Sequence, residues 1–286
     1  SRRSVAEIQA DQQTDSKLSH ATQIIRSLRA QGASISVRQT DAGDFEQTEQ
    51  LINEITNGQN PLRGVFHTAG VWSHKPILSV SRNDISSMMH AKAKGAWNLN
   101  RLTQQLKLDY FVCFSSAIST WGAQDVAHYA GANAILDALA GYRQRQNLPA
   151  LTVNWGLFPK GSMVSDQMHE FCERIGWREM STSAAFSRMA SLLDTSRVHA
   201  TVSHMDWPSF RDIFEARGPR PLLETLLTRN SVDERHATQA KEPLESTSPD
   251  SLLDSVGQQT AEALGIPLSQ INVQMALIDL GLDSLM

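Results

Sequence analysis

Apolar and polar positions alternate along this chain with two periods, one helical and one extended. Residues 17–31 (KLSHATQIIRSLRAQ) place Ile24, Ile25 and Leu28 on one helical face, and Gly32 supplies the stop. Ala33 to Arg38 alternates as a strand. Phe45 to Thr56 predicts a helix, Arg63 to His67 a short buried strand, and residues 83–106 a long helix. Asp109 to Phe114 is the strongest strand pattern, and the Ala-rich run Tyr129 to Gln144 predicts a helix. Leu151 to Asn154 and Ala200 to His204 predict two more strands. Strands that alternate with helices imply βα units, hence an α/β fold on a parallel sheet.

The pattern then breaks. Residues 229–250 are polar, with two prolines and almost no large apolar side chain, and predict a solvated linker. Beyond it, Leu252, Leu253, Val256 and Leu264 return at helical spacing, so a second, helical module begins near Ser251.

Composition narrows the function classes. A chain of 286 residues that is 41% hydrophobic and 20% charged can bury a core in one or two domains. A net charge of −4 without a dense basic block argues against nucleic-acid binding. No apolar run reaches roughly 18 residues, so no membrane span is expected, and the polar first 20 residues contain no signal-peptide core. Cys113 and Cys172 lie far apart and form neither a metal spacing nor a disulfide framework, which fits a reducing, cytoplasmic setting. The histidines are scattered without an HExxH pattern, so no metal site is expected.

In an open parallel sheet the ligand sits beyond the carboxyl ends of the strands. There the chain places Asp41, the run His67-Thr68-Ala69-Gly70, the pair Ser115-Ser116, and Asn154-Trp155-Gly156. Tyr129 and Asn133 are four apart and share a helix face. Ser116, 13 residues before Tyr129, can bring a second hydroxyl to the same carbonyl. A Tyr becomes a useful proton donor when a nearby cation lowers its pKa from about 10, and the preceding helix offers Lys92 and Lys94. Each piece alone has a structural explanation in a turn or in packing; the combination is much rarer.

These residues resemble the ketoreductase domain of modular type I polyketide synthases, in the short-chain dehydrogenase/reductase superfamily. The likeness runs through Gly64-Val65-Phe66-His67-Thr68-Ala69-Gly70-Val71, Lys92-Ala93-Lys94-Gly95-Ala96-Trp97-Asn98-Leu99 and Phe114-Ser115-Ser116-Ala117. It continues through Trp121-Gly122, Tyr129 to Ala140, and Val153-Asn154-Trp155-Gly156. It covers roughly residues 1–228, and implies a Rossmann-like, doubly wound parallel sheet whose first strand and Gly-rich turn precede Ser1. It further implies that Tyr129 protonates a carbonyl oxygen as hydride arrives and that Ser116 hydrogen-bonds that oxygen. Lys92 would lower the Tyr129 pKa and touch the cofactor ribose, and Asn133 would hold a proton relay. Lys94 is the rival of Lys92. Arg2 and Arg3 would pair with a 2′-phosphate, pointing to NADPH. Asp41 would contact the adenine, and Ala69-Gly70 would let backbone approach the cofactor.

The resemblance also speaks to stereochemistry. The Leu-Asp-Asp motif of members that form a D-hydroxyl is missing after Val71, where Trp72-Ser73-His74 stands. Trp121, eight before Tyr129, matches members that form the L-hydroxyl. The position three before the Tyr is Val126, where that class carries Gln or His, so the preference at an α-substituent stays open. Residues 158–180 resemble the family's lid. Within it Met163, Met168 and Phe171 form a stripe that faces either substrate or core, with core the better reading.

The tail Asp279-Leu280-Gly281-Leu282-Asp283-Ser284-Leu285-Met286 resembles the attachment motif of an acyl carrier domain, with Ser284 as the residue that bears 4′-phosphopantetheine. A Ser at a helix N-terminus suits a phosphodiester. The organisation expected is thus a ketoreductase over 1–228, a linker over 229–250 and the first part of a helical carrier domain over 251–286. The expected activity is NADPH-dependent reduction of the β-keto group of a carrier-bound thioester. Its partners would be the other domains of the synthase and a phosphopantetheinyl transferase, with no nucleic acid and no membrane. A catalytically silent, reductase-like scaffold serving the carrier domain is the alternative. A free short-chain dehydrogenase is disfavoured by the linker and carrier motif. Without a first strand, the strand at 33–38 would have no neighbour, and poor packing over 1–60 and poor NADPH binding are expected of the chain by itself.

Overall fold

The computed structural model describes residues 21–224 other than 161, 162, 217 and 219, together with Gln258. The expected linker, the carrier segment with Ser284, and Arg2 and Arg3 lie outside the described residues. Residues 21–30 form helix α1, closed by Gly32 at φ +93°, a backbone region that favours glycine. Helix α2 (Phe45–Thr56) starts where Asp44 accepts a hydrogen bond from the Gln47 N–H at 3.0 Å.

Four parallel strands make the main sheet. They are β1 (Gly64–His67), β2 (Tyr110–Ser116), β3 (Leu151–Trp155) and β5 (His199–Val202), in the order β1-β2-β3-β5. Between β1 and β2 run α3 (Arg82–Met89), a π-helical segment (His90–Lys94) and α4 (Gly95–Thr103). Short α5 (Ile118–Trp121) and long α6 (Ala127–Gln144) lie between β2 and β3. After β3 come α7 (Asp166–Arg174), β4 (Trp177–Arg178) and α8 (Thr182–Leu193). After β5 come β6 (His204–Met205), α9 (Trp207–Phe214) and α10 (Pro221–Glu224). Strands β4 and β6 pair antiparallel as a separate ribbon.

Side chains alternate across a strand, and β2 uses both faces. Phe111 and Cys113 join Val65, Ala96, Leu136 and Leu139 in a core beneath α4 and α6. Val112 turns the other way, to Leu151, Val153, Met180 and Ala185, with Met189 and Leu192 of α8 packed alongside. Helices therefore cover both faces, which is why β3 is buried at every position. This is the doubly wound arrangement that the resemblance implies, built on the parallel sheet that the alternating pattern predicts.

Three expectations change. Residues 33–38 are not a strand: Val37 is 65% exposed, and no ladder bonds form there. Alternation is local, whereas a strand needs a neighbouring backbone to bond. Helix α2, by contrast, is packed, with Thr48 and Ile52 buried and the Asn98 side chain donating to the Ala42 carbonyl at 3.0 Å. It needs α4 as a partner, and α4 is present. The single helix expected over 83–106 is interrupted by the π segment and ends at Thr103. The strand expected over 200–204 is split at Ser203, where the chain leaves the sheet for the ribbon. A Cβ on Gly156 would lie 2.4 Å from the Ser203 hydroxyl, so the crossing depends on a glycine.

Leu136 is wholly buried between α6 and the sheet. Leu136→Ala is expected to destabilise the protein by about 2–5 kcal/mol, measured by urea unfolding. A loss below about 1 kcal/mol would show that this core collapses around the gap.

Candidate active site

The carboxyl ends of β1, β2 and β3 open on a cavity of about 410 Å³. Lys92, Ser116 and Tyr129 all line it. Lys92 arrives from the π segment, Ser116 from the last residue of β2, and Tyr129 from the first turn of α6. π-helical segments insert an extra residue into a helix and recur at functional sites. Here the segment holds Lys92 buried and sends Lys94 outward.

The Lys92 ammonium donates to the Phe114 carbonyl at 3.1 Å and lies 5.8 Å from the centre of the Tyr129 ring. The Lys92 carbonyl receives a hydrogen bond from His67 Nε2 at 2.8 Å. Burial holds His67 below the usual histidine range, so the ring stays neutral and can donate from that nitrogen. Gly70 makes room for the lysine stem, since a Cβ there would stand 2.7 Å from Lys92 Cε. Lys94 instead adds its field to Asp41, whose carboxylate accepts from the Gly43 N–H at 2.8 Å and faces His90 Nε2 at 2.9 Å. These contacts keep Asp41 below the usual carboxylate range, the hydrogen bond from His90 first.

Burial raises the Tyr129 phenol, while hydrogen bonding with Ser116 and Asn133 pulls the other way. The net direction is upward, because desolvation penalises the phenolate more than those bonds favour it. Asn133 is fully buried, and its side-chain amide donates to the Tyr129 carbonyl at 2.8 Å. The Ser116 hydroxyl accepts from the Ile118 N–H at 3.3 Å.

Behind these residues lies a polar cluster that sequence reasoning missed. The Ser119 hydroxyl is 2.8 Å from the Ser116 carbonyl and 2.8 Å from Asp137 Oδ2. The Asn154 amide donates to Ser119 at 2.7 Å and to Asp137 Oδ2 at 3.2 Å. The turn that carries Ser116 is thus tied to α6 and β3 together. The signal in the sequence was Asn154, a polar residue in a strand that is buried at every position.

The far wall of the cavity comes from the lid. Trp121 packs on Trp177 and Phe210, with ring centres 5.7 and 5.5 Å away. Met163, Met168 and Phe171, read as core, line the cavity. Met168 also packs against the core cluster beneath, so its expected role holds in part. Ala69 and Gly70 are half-buried beyond β1, and Asp41 is exposed.

A model of the KR domain matches residues 2–160. This chain belongs to the KR-domain family. Erythronolide synthase EryA3 of Saccharopolyspora erythraea is 32% identical over 266 residues, which are 93% of this chain and 8% of that protein. A solved A1-type ketoreductase is 33% identical with a TM-score of 0.69, over 72% of this chain and 44% of that one. The first ketoreductase of the tylosin polyketide synthase is also 33% identical, with a TM-score of 0.65 over 73% of this chain and 46% of that one. The chain therefore spans less than a tenth of the synthase and less than half of either solved ketoreductase. In this KR domain no described helix is long and apolar enough to cross a membrane.

Burial lowers the Lys92 pKa from 10.5 to about 8. Between those values the unfolded chain binds the proton and the folded chain does not, so stability contributed by Lys92 rises as pH climbs from about 8 to about 10.5. In Lys92→Met that dependence is absent. The wild type is expected to gain up to about 3 kcal/mol on the variant across this window, read by chemical unfolding at a series of pH values. A constant difference would contradict the burial of a titrating ammonium.

Proposed function

We propose that this chain carries the β-ketoacyl reductase of a modular polyketide synthase, which uses NADPH to reduce the β-keto group of a carrier-bound thioester to a β-hydroxy group. The observation that carries this reading is the meeting of Lys92, Ser116 and Tyr129 on one cavity wall, with Asn133 bonded behind Tyr129.

The strand ends suit a nicotinamide nucleotide. Ala69 and Gly70 bear little or no side chain and are half-buried, so backbone can come close to a ligand. Asp41 would hold the adenine, Lys92 the ribose, and Arg2 and Arg3 the 2′-phosphate. When bound, the nucleotide supplies hydride to the ketone carbon. Ser116 then donates a hydrogen bond to the ketone oxygen and orients it toward the Tyr129 hydroxyl. Tyr129 gives up its proton as charge develops on that oxygen. A raised pKa keeps the phenol protonated until then. The nearby Lys92 cation stabilises the phenolate that results. Trp121 would favour the approach that leaves an L-hydroxyl.

In the intact module, Tyr129→Phe is expected to lower reduction by roughly a hundred- to ten-thousandfold, followed as NADPH oxidation with a β-keto thioester surrogate. Full activity in that variant would sink the assignment.

The same proposal extends to the tail. Ser284 accepts 4′-phosphopantetheine from coenzyme A through a transferase, and the other synthase domains are its partners. Mass spectrometry of the intact module after incubation with transferase and coenzyme A is expected to show one added phosphopantetheinyl group, lost in Ser284→Ala. Absence of the gain in the wild type would count against the carrier reading.

A further inference from the structure

The cavity is polar at one end. Thr68, Lys92, Ser115, Ser116 and Tyr129 stand at the strand ends, while His74 and Gln124, also on its lining, are exposed to solvent. Every described residue between Met163 and Phe214 that lines it is apolar, Met163, Phe171, Trp177 and Phe214 among them. Cys172 belongs to that wall, and burial pushes its thiol up to about 11, so it adds no charge at neutral pH. A charged group placed there would lose water and meet no ionised side chain on that wall, whose polar hydrogens are the unpartnered Trp177 indole N–H and the Cys172 thiol.

Trp72 completes the enclosure from the other side. It lines the cavity and meets Tyr129 edge-on, ring centres 4.8 Å apart at 72°. It also packs against the cluster that contains Met88, Val126 and Tyr129. Its segment is pinned three residues further on. The Lys75 N–H donates to the Asp125 carbonyl at 2.6 Å, and the Lys75 ammonium pairs with Asp84 at 2.7 Å. Asp84 is itself locked in the capping box of α3. The indole is therefore a fixed wall beside the phenol rather than a side chain on a loose loop.

We propose that this cavity receives a β-ketoacyl group whose chain beyond the ketone is apolar, and that Trp72 sets how much bulk fits beside the reacting carbonyl. The inference rests on the reductase reading of the same site. A ketone bonded to the Tyr129 hydroxyl must lie alongside the indole, so substituents on the carbon next to the ketone meet Trp72 first. The chain then extends along the lid wall, where each buried methylene is worth about fourfold in affinity.

The test uses the intact protein and three N-acetylcysteamine thioesters. These are a β-keto octanoyl thioester, its analogue hydroxylated on the last carbon but one, and its analogue with two methyl groups on the carbon beside the ketone. The hydroxylated analogue is expected to lose roughly ten- to hundredfold in kcat/KM, because the hydroxyl gives up water for a wall with at most an indole or thiol hydrogen to offer. The dimethyl analogue is expected to be poor with the wild type and to gain roughly tenfold relative to the unbranched thioester in Trp72→Ala. Trp72→Phe keeps the wild-type order, and Trp72→Leu serves in place of the alanine variant if that fails to fold. An unchanged branched-to-unbranched ratio in the smaller variants overturns the role of Trp72. Equal use of the hydroxylated analogue overturns the apolar chamber. Quenching of indole fluorescence by the matching β-hydroxy thioesters separates this inference from the reductase reading. Selective binding without turnover of any thioester leaves the chamber standing and fells the reductase, and unselective binding fells the chamber.

Discussion

The burial of one ammonium organises this molecule. Taking the Lys92 charge out of water costs several kcal/mol unless polar groups replace the solvent. The Phe114 carbonyl is one such group, offered by the strand that carries Ser115 and Ser116. The π segment turns the lysine inward, His67 fastens its backbone, and Gly70 leaves the stem its space. Strand β1, strand β2 and the helix between them are thus committed to one cation. That cation lies beside the ring of Tyr129, the side chain placed to exchange a proton.

A second constraint works one layer deeper. Asp137, Ser119 and Asn154 come from α6, α5 and β3, and they converge beneath the turn that holds Ser116. Buried polar groups are costly when left unpaired, so such a cluster admits few alternative arrangements. Asp137 also adds to the field that favours the charged form of Lys92. The Ser116 hydroxyl and the Lys92 ammonium share one polar foundation. The lid brings no such groups. Its cavity-facing side chains are aromatic, aliphatic, thioether or the neutral Cys172 thiol, which leaves chemistry to the sheet and shape to the lid.

Periodicity made much of this legible. Helix α2 has the bounds that its pattern predicts, because Asp44 caps an amphipathic run whose partner is present. Strands β2 and β3 were visible as short apolar runs because burial on both faces leaves little polar alternation, whereas β1, expected to be buried, leaves Phe66 exposed. The π segment was not legible, since an i→i+5 turn has no distinctive side-chain pattern. For the same reason sequence spacing alone left Lys92 and Lys94 as rivals. Residues 33–38 erred the other way, with good local alternation and no neighbour to complete a ladder.

By itself the sequence determined the alternating α/β order, the residues at the strand ends, and the pairing of Tyr129 with Asn133 on one helix face. Those follow from short-range rules of period and position. Tertiary structure alone decided which lysine is buried, which direction the Tyr129 pKa moves, and that Trp72 stands against the phenol. It also decided that Met163 and Phe171 line the cavity beside Trp177 and Phe214. Each of these depends on desolvation or contact between segments distant along the chain, and neither quantity is carried by local spacing.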